Sequence, residues 1–463
     1  MNRFKNHPFI TGTIILTLTG LLSRFIGFFY RIYLSRLFGE EGMGVYQLTS
    51  PVLALSFSVT VAGLQTAISK YVAGEATTKD YKFSLRTLLS GLVVSLILSF
   101  LCMWGIIHFS EWIALNFLLE PRTASMLRII ALSIPLCAVH CCINGYFYGI
   151  KKAGIPAATQ LIEQFCRILC VFSADYIATR TGGVPTINAA VIGLVVGEFC
   201  AMVVSIIAIY SRFYRISKKS SPKTGSAKTG AALVHRQHVP IPYAPSKNSY
   251  ADITAKLLAL AIPLSFNRIV INLLQSIEAV YIPEKLQSYG YDTATALSVY
   301  GVLTGMALPL VLFPNALTGS ISLMLLPIVS EADATGNKQT VRRAASKTIS
   351  SCLILGGICT LGFLLLGRPA GQLLYNSELA GKFICSLSFI CPFLYLCTTL
   401  TGILHGLGKT ISIFFINVSS LLIRLAFVFF LLPQFGINAY IAGMLISQIF
   451  SAICLYLVLR RLL

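Results

Sequence analysis

Arg24, Arg31 and Arg268 stand inside long apolar stretches of the chain, where a charge needs a reason. Arginine supplies neither a nucleophile nor a base near neutral pH. Its planar guanidinium does grip phosphate or carboxylate oxygens through a bidentate fork. Arg24 and Arg31 are seven residues apart, which returns them to one face of a helix, a stripe shared with Phe28 and Ser35. Arg24 is about 14 residues from either end of its apolar run, roughly 20 Å deep at the helical rise. Each such arginine costs at least ~2.5–3.5 kcal/mol to insert, so it normally faces a polar cavity or a partner. Arg268 lies in SFNRIVINLLQS, with Asn267, Asn272 and Gln275 as neutral hydrogen-bonding neighbours. This chemistry makes Arg24, Arg31, Arg268, Asn267 and Gln275 candidate ligands for an anion.

Two readings of these arginines stay open. In one they line a cationic cavity, and in the other carboxylates within the protein neutralise them. The candidate carboxylates are Glu163, Asp175, Glu198 and Glu278. Glu163 and Arg167 are spaced i, i+4 in the favourable Glu-first order and are expected to satisfy each other. Glu278, ten residues beyond Arg268, cannot reach it along the helix. Arg424 has Ser420 where a glutamate would sit four residues earlier. Lys70, near a helix end, snorkels to the headgroups or joins the site in a secondary role, as do Glu163, Arg167 and Arg424.

The elements that must position these residues are transmembrane helices. The chain is 56% hydrophobic and only 11% charged, against about 25% charged in soluble domains. Apolar runs long enough to span a bilayer recur throughout. They predict twelve helices near 10–38, 45–73, 84–109, 125–150, 156–178, 187–211, 253–281, 296–330, 347–367, 381–405, 410–432 and 437–459. The first run is too long for a signal peptide's apolar region and lacks a small-residue cleavage site, so it is read as a retained helix. The +20 net charge raises the question of nucleic acid. With the amino terminus inside, however, 24 of the 36 lysines and arginines fall on cytoplasmic ends and loops, seven outside and five within helices. That asymmetry is the positive-inside rule and needs no nucleic-acid partner. It places both termini in the cytoplasm. Thirteen cysteines lie mostly in helices with no CxxC spacing, and His235 and His238 lie in a polar loop, so neither a metal nor a cofactor is expected.

Residues 212–252 differ from the rest: RFYRISKKSSPKTGSAKTG, then VPIPYAPSKNS, reads as a basic cytoplasmic linker. It separates an amino-terminal six-helix bundle (1–211) from a carboxy-terminal one (253–463). The two are copies. A shift of 257 places Pro135 on Pro392, Gly145 on Gly402, Gly149 on Gly406, Lys152 on Lys409 and Arg167 on Arg424. A shift of 256 places Glu75 on Glu331 and Arg86 on Arg342, and one of 250 places Gly193 on Gly443. A shift of 244 sets Ser23-Arg24 on Asn267-Arg268, so two equivalent helices would each bring an arginine to the midplane. Both copies carry GxxxG, at Gly145–Gly149 and Gly402–Gly406, which permits close helix approach. The fold class is therefore all-α and polytopic, about twelve helices in two pseudo-symmetric bundles. Six helices per copy make this a parallel repeat, the architecture of alternating access about a site between the halves.

The stretches GLLSRFIGFFYRIYLSRLFGEEGMGVYQL (20–48), GLQTAISKYVAGEA (63–76) and NGYFYGIKKAGIPAATQLIEQFCRI (144–168) resemble the multidrug/oligosaccharidyl-lipid/polysaccharide exporter superfamily, in its polysaccharide biosynthesis branch. The resemblance spans essentially the whole chain. It implies movement of undecaprenyl-diphosphate-linked sugars, peptidoglycan precursors or polysaccharide repeat units, from the inner to the outer leaflet. It also implies that Arg24, in Ser-Arg-x-x-Gly, matches a cavity arginine that holds the diphosphate in lipid II flippases, with Arg31 and Arg268 following. Expected partners are the lipid-linked anion, membrane lipids and cell-wall synthesis enzymes, with the chain itself a monomer. Many members of the branch carry fourteen helices, so a tail groove built on two more is not carried over.

The chemistry fits a lipid diphosphate, whose two or more negative charges offset the buried cations while the tail stays in hydrocarbon. An inside-negative potential favours outward movement of such a group by ~2.3 kcal/mol per charge per 100 mV. The sequence has no GxxxxGK[ST] motif for ATP. Two alternatives compete. A cation-coupled exporter of small cationic drugs needs buried carboxylates, whereas the mid-helix charges are mostly arginines. A membrane-embedded enzyme acting on lipid-phosphate sugars needs Asp or His clusters at the membrane face, and no paired-carboxylate motif stands out.

Overall fold

The computed structural model describes residues 8–75, 81–183, 186–220 and 249–462, and those residues are almost entirely helical. The amino-terminal half comprises α1 (Pro8–Leu48), α2 (50–75), α3 (Tyr81–His108), α4 (Thr123–Gly149), α5 (Gly154–Arg180) and α6 (Asn188–Ser220). The carboxy-terminal half comprises α7 (Tyr250–Tyr289), α8 (293–334), α9 (Lys338–Tyr375), α10 (Glu378–Gly406), α11 (Thr410–Phe435) and α12 (Ile437–Leu462). α8 corresponds to the run expected at 296–330 but is broken at Phe313-Pro314, where proline cannot continue the hydrogen-bond ladder. Among the described residues eleven stretches are long and apolar enough to cross a membrane, making this a multi-pass membrane protein. α5 is not among them, because Gln160, Glu163, Gln164 and Arg167 dilute its apolar run. α6 continues through Ser220 and α7 begins at Tyr250, so the linker expected at 212–252 contracts to the residues between them, and 221–248 lies outside the described residues, as do His235 and His238.

The internal repeat is visible in atomic detail. A Cβ placed on Gly145 would lie 2.6 Å from the Gln65 carbonyl oxygen, and one on Gly149 2.7 Å from that of Ser69. In the other half, Gly402 meets Ser322 and Gly406 the Leu326 carbonyl oxygen, each oxygen 2.9 Å away. Gln65 and Ser322, like Gly145 and Gly402, differ by 257 in number. The two GxxxG motifs therefore seat α4 on α2 and α10 on α8 by the same backbone contact, one that any larger residue would push apart.

The halves meet through their first two helices. α1 turns at Gly39, whose φ is 71°, and α7 ends at Gly290, whose φ is 119°; only glycine adopts these conformations without strain. Beyond these turns the last stretch of α1 runs against the start of α8. A Cβ on Gly44 would sit 2.1 Å from the Leu297 carbonyl oxygen, and one on Gly301 2.3 Å from that of Glu40. At the same end the Arg36 guanidinium donates from Nε to the Leu374 carbonyl at 2.8 Å and also to that of Leu373, satisfying carbonyls left free at the end of α9. Arg122 pairs with Glu41 at 2.7 Å.

Candidate functional site

Between the halves lies a space with contiguous compartments. One, of about 580 Å³, is lined by Arg24 and Arg31 of α1, by Gln160, Gln164 and Arg167 of α5, and by Thr304 and Asn315 of α8. A second, of about 610 Å³, shares Arg31, Gln47 and Ser50 with the first and adds Gln275, Glu278 and Arg424. Arg24 also lines a third of about 590 Å³ with Asn417 and Gln448.

α1 delivers its arginines to this space because its opposite face is apolar: Phe25 and Phe29 are about half exposed, as suits a lipid-facing surface. Phe25 and Phe28 also stack on Phe313 at the break of α8, with ring centroids 6.1 and 5.5 Å apart. The Arg24 guanidinium reaches across to the other half, where Nη1 lies 3.8 Å from the position of a Cβ on Gly319. Gly27, between the two arginines, has open space where a side chain would be. Neither Arg24 nor Arg31 forms a hydrogen bond or an ion pair among the described residues; every ion pair there involves other cations.

The carboxylates have other partners. Glu163 binds Arg167 one turn away at 2.5 Å, the pair expected from spacing. Glu278 is 3% exposed and binds Arg424 through a bidentate fork, at 2.7 Å to Nε and 2.6 Å to Nη2. The Tyr440 hydroxyl donates to the same carboxylate at 2.8 Å. Asp175 accepts from the Tyr33 hydroxyl at 2.5 Å, and Glu198 contacts His140 Nε2 at 2.7 Å. The Glu278–Arg424 pair joins residues 146 apart, and no local pattern signals it. Tyr30, Gln47, Gln160 and Gln164 also line the cavity without having been picked out from sequence.

Two expected ligands, Arg268 and Asn267, sit apart from the pair on α1. Arg268, exposed like Arg24 and Arg31, lines a separate compartment of about 520 Å³ with Ser50, Leu53 and Asn272. Ser50 and Leu53 form the wall it shares with the Arg24–Arg31 compartment. Asn272 is spent on the scaffold, donating to the Ala54 carbonyl at 3.2 Å and the Ser58 hydroxyl at 2.5 Å. Asn267 has a buried Oδ1 without a partner and lines none of these compartments. Gln275 does face the space beside Arg424. Lys70 is exposed near the end of α2.

The helices of the two halves thus surround a cavity lined by Arg24 and Arg31, neither of which has a carboxylate partner among the described residues. The chain matches the family described as polysaccharide biosynthesis protein over residues 9–333, and it belongs to that family. It is 26% identical over 451 residues to stage V sporulation protein B of Bacillus subtilis (strain 168), covering 96% of this chain and 83% of that one. Its fold is that of the lipid II flippase MurJ in an inward closed conformation, with a TM-score of 0.71, 15% identity, and 96% of this chain and 87% of that chain covered. An inward-facing multidrug resistance MATE family transporter of the MOP superfamily is similar over 97% of this chain and 98% of its own, with a TM-score of 0.69 and 15% identity. The chain is thus a multi-pass membrane protein of the polysaccharide biosynthesis family, with a fold similar to that of these transporters.

Proposed function

We propose that the protein carries an undecaprenyl-diphosphate-linked sugar, a peptidoglycan precursor or polysaccharide repeat unit, from the inner to the outer leaflet by alternating access. The observation that carries this reading is the pair Arg24 and Arg31, which share one cavity between the halves with no carboxylate bound to either. A diphosphate is the complementary group: its oxygens accept both guanidinium forks, and its charge offsets the cost of two cations within the membrane. Gln47, Gln160 and Gln164 supply neutral donors and acceptors for the first sugar. The family, and the lipid II flippase fold, support the same class of substrate. Because the anion crosses an inside-negative potential outward, two charges crossing the whole field gain ~4–5 kcal/mol per 100 mV without ATP.

In this reading both termini and the segment 221–248 are cytoplasmic. A Lys223→Cys protein labelled by a reagent confined to the outside would overturn that orientation. The function is tested by depleting the protein and following lipid-linked precursors. Accumulation of a diphosphate-linked sugar in the inner leaflet is expected, and unchanged pools with unchanged surface exposure of the sugar would overturn it.

A further inference from the structure

A second set of charges lies behind the cavity wall, within the amino-terminal half. His140 of α4, Glu163 of α5 and Glu198 of α6 bring one nitrogen and two carboxylate oxygens within 4.8 Å of one another. His140 is 6% exposed, and the Glu163 and Glu198 side chains are 16% and 13% exposed. Gly197 makes the cluster possible. A Cβ there would lie 2.8 Å from the Glu163 carbonyl oxygen, so only glycine lets α6 press Glu198 against α5.

The repeat shows that the fold does not need these groups. The same shifts that relate the halves place His140 on Cys397, Glu163 on Ser420 and Glu198 on Gln448. Those residues occupy the equivalent slot with ordinary hydrogen bonds, Cys397 donating to the Gln448 carbonyl and Ser420 to that of Ser447. Arg167 and Arg424 alone are retained in both. One half therefore builds with neutral groups what the other builds with three ionisable ones.

We propose that His140, Glu163 and Glu198 form a proton-binding site that controls how much positive charge Arg167 presents to the cavity. The inference rests on the anion reading above, because the cavity that Arg167 lines is the one assigned to the diphosphate. The balance is simple. With one proton on His140, the imidazolium neutralises Glu198 at 2.7 Å, and Arg167 answers Glu163 alone. Without that proton the cluster holds two carboxylates and a single cation, Arg167, which is drawn inward to serve both. The Arg167 Nε is buried and unpartnered, as is His140 Nδ1, so both side chains have a free position for a rearranged hydrogen bond. A bound proton thus adds one positive charge to the balance of the site, and anion and proton bind with positive, reciprocal linkage. The other groups facing His140 among the described residues are Cys137 and Cys141 of its own helix. Arg167 is faced in addition by Tyr30, Arg31 and Tyr46 of α1.

The test uses the purified full chain in nanodiscs and a water-soluble short-chain polyprenyl-diphosphate sugar, whose diphosphate diester does not titrate near neutral pH. Calorimetry in buffers of different ionisation enthalpy counts the protons taken up on binding. The wild-type protein is expected to take up protons and to bind up to about tenfold more tightly per unit fall in pH across the titration of the site. His140→Gln should bind with little pH dependence and close to one proton fewer per ligand. Glu198→Gln, nearly isosteric, serves if that variant fails to fold, and is expected to lose the same dependence. Equal proton uptake in wild type and a folded variant overturns the proposal, as does binding that requires sodium rather than protons. Absence of binding by the wild type at every pH would instead overturn the anion reading itself.

Discussion

Replacing Arg24 with alanine separates a substrate site from a structural ion pair. The Arg24 guanidinium reaches Gly319 across the cavity and holds no carboxylate, so its removal leaves no buried charge unpaired. Stability should change by no more than ~0.5 kcal/mol, as for a side chain without partners. Transport should not survive as well. A bidentate contact to a diphosphate comprises two hydrogen bonds to a charged acceptor at ~1.5–3 kcal/mol each, and the two are not independent. A loss of ~2–4 kcal/mol in substrate interaction corresponds to a fall of about 30- to 1,000-fold in transport efficiency. Arg24→Lys should recover part of this, because an ammonium keeps the charge and loses the fork. The assay is flipping of a labelled lipid-diphosphate sugar in proteoliposomes, paired with thermal unfolding of the same preparation. Had a carboxylate been neutralised by Arg24, the alanine variant would lose ~3–5 kcal/mol of stability. A folded variant that transports normally refutes the assignment, and a variant that unfolds refutes the absence of an internal partner.

Other substitutions test the same physics elsewhere. Arg424→Ala should destabilise by ~3–5 kcal/mol, because Glu278 is 3% exposed and would lose its bidentate partner; adding Glu278→Gln should restore part of the melting temperature. Gly27→Glu should fold, since nothing lies within 4 Å of a side chain there, yet abolish anion binding. Its carboxylate would stand three residues after Arg24 and four before Arg31, the spacings at which helical ion pairs form, and binding by a folded variant would contradict the site. Gly145→Val should lower the melting temperature sharply because its Cβ would lie 2.6 Å from the Gln65 carbonyl oxygen, whereas Gly105→Ala, with open space around it, should be neutral or stabilising.

The helices were legible because a bilayer demands long apolar runs, and the repeat was legible because glycine and proline positions carry backbone constraints. Gly145 and Gly402 show this: their spacing signalled close approach, and backbone atoms of α2 and α8 occupy the space a side chain would need. The break of α8 at Phe313-Pro314 was missed because the surrounding run stays apolar on both sides. The Glu163–Arg167 pair was readable from i, i+4 spacing. Glu278–Arg424 and His140–Glu198 join helices far apart in sequence, so no periodicity encodes them.

The asymmetry between the halves explains where an anion would sit. Arg167 and Arg424 are repeat mates, and each is neutralised, but by different means. The carboxy-terminal half takes Glu278 from its first helix, α7. The amino-terminal half uses Glu163 on α5 instead, so α1 is left with two guanidinium groups on either side of Gly27. Symmetric neutralisation would have removed the cavity's net charge and with it any preference for an anion. Moving one carboxylate from the first helix to the fifth keeps both arginines of α1 free while still pairing the cation behind them. On the proposed function, then, the anion is held by α1 rather than at the midline between the halves, and it would stay with that helix as the halves move against each other.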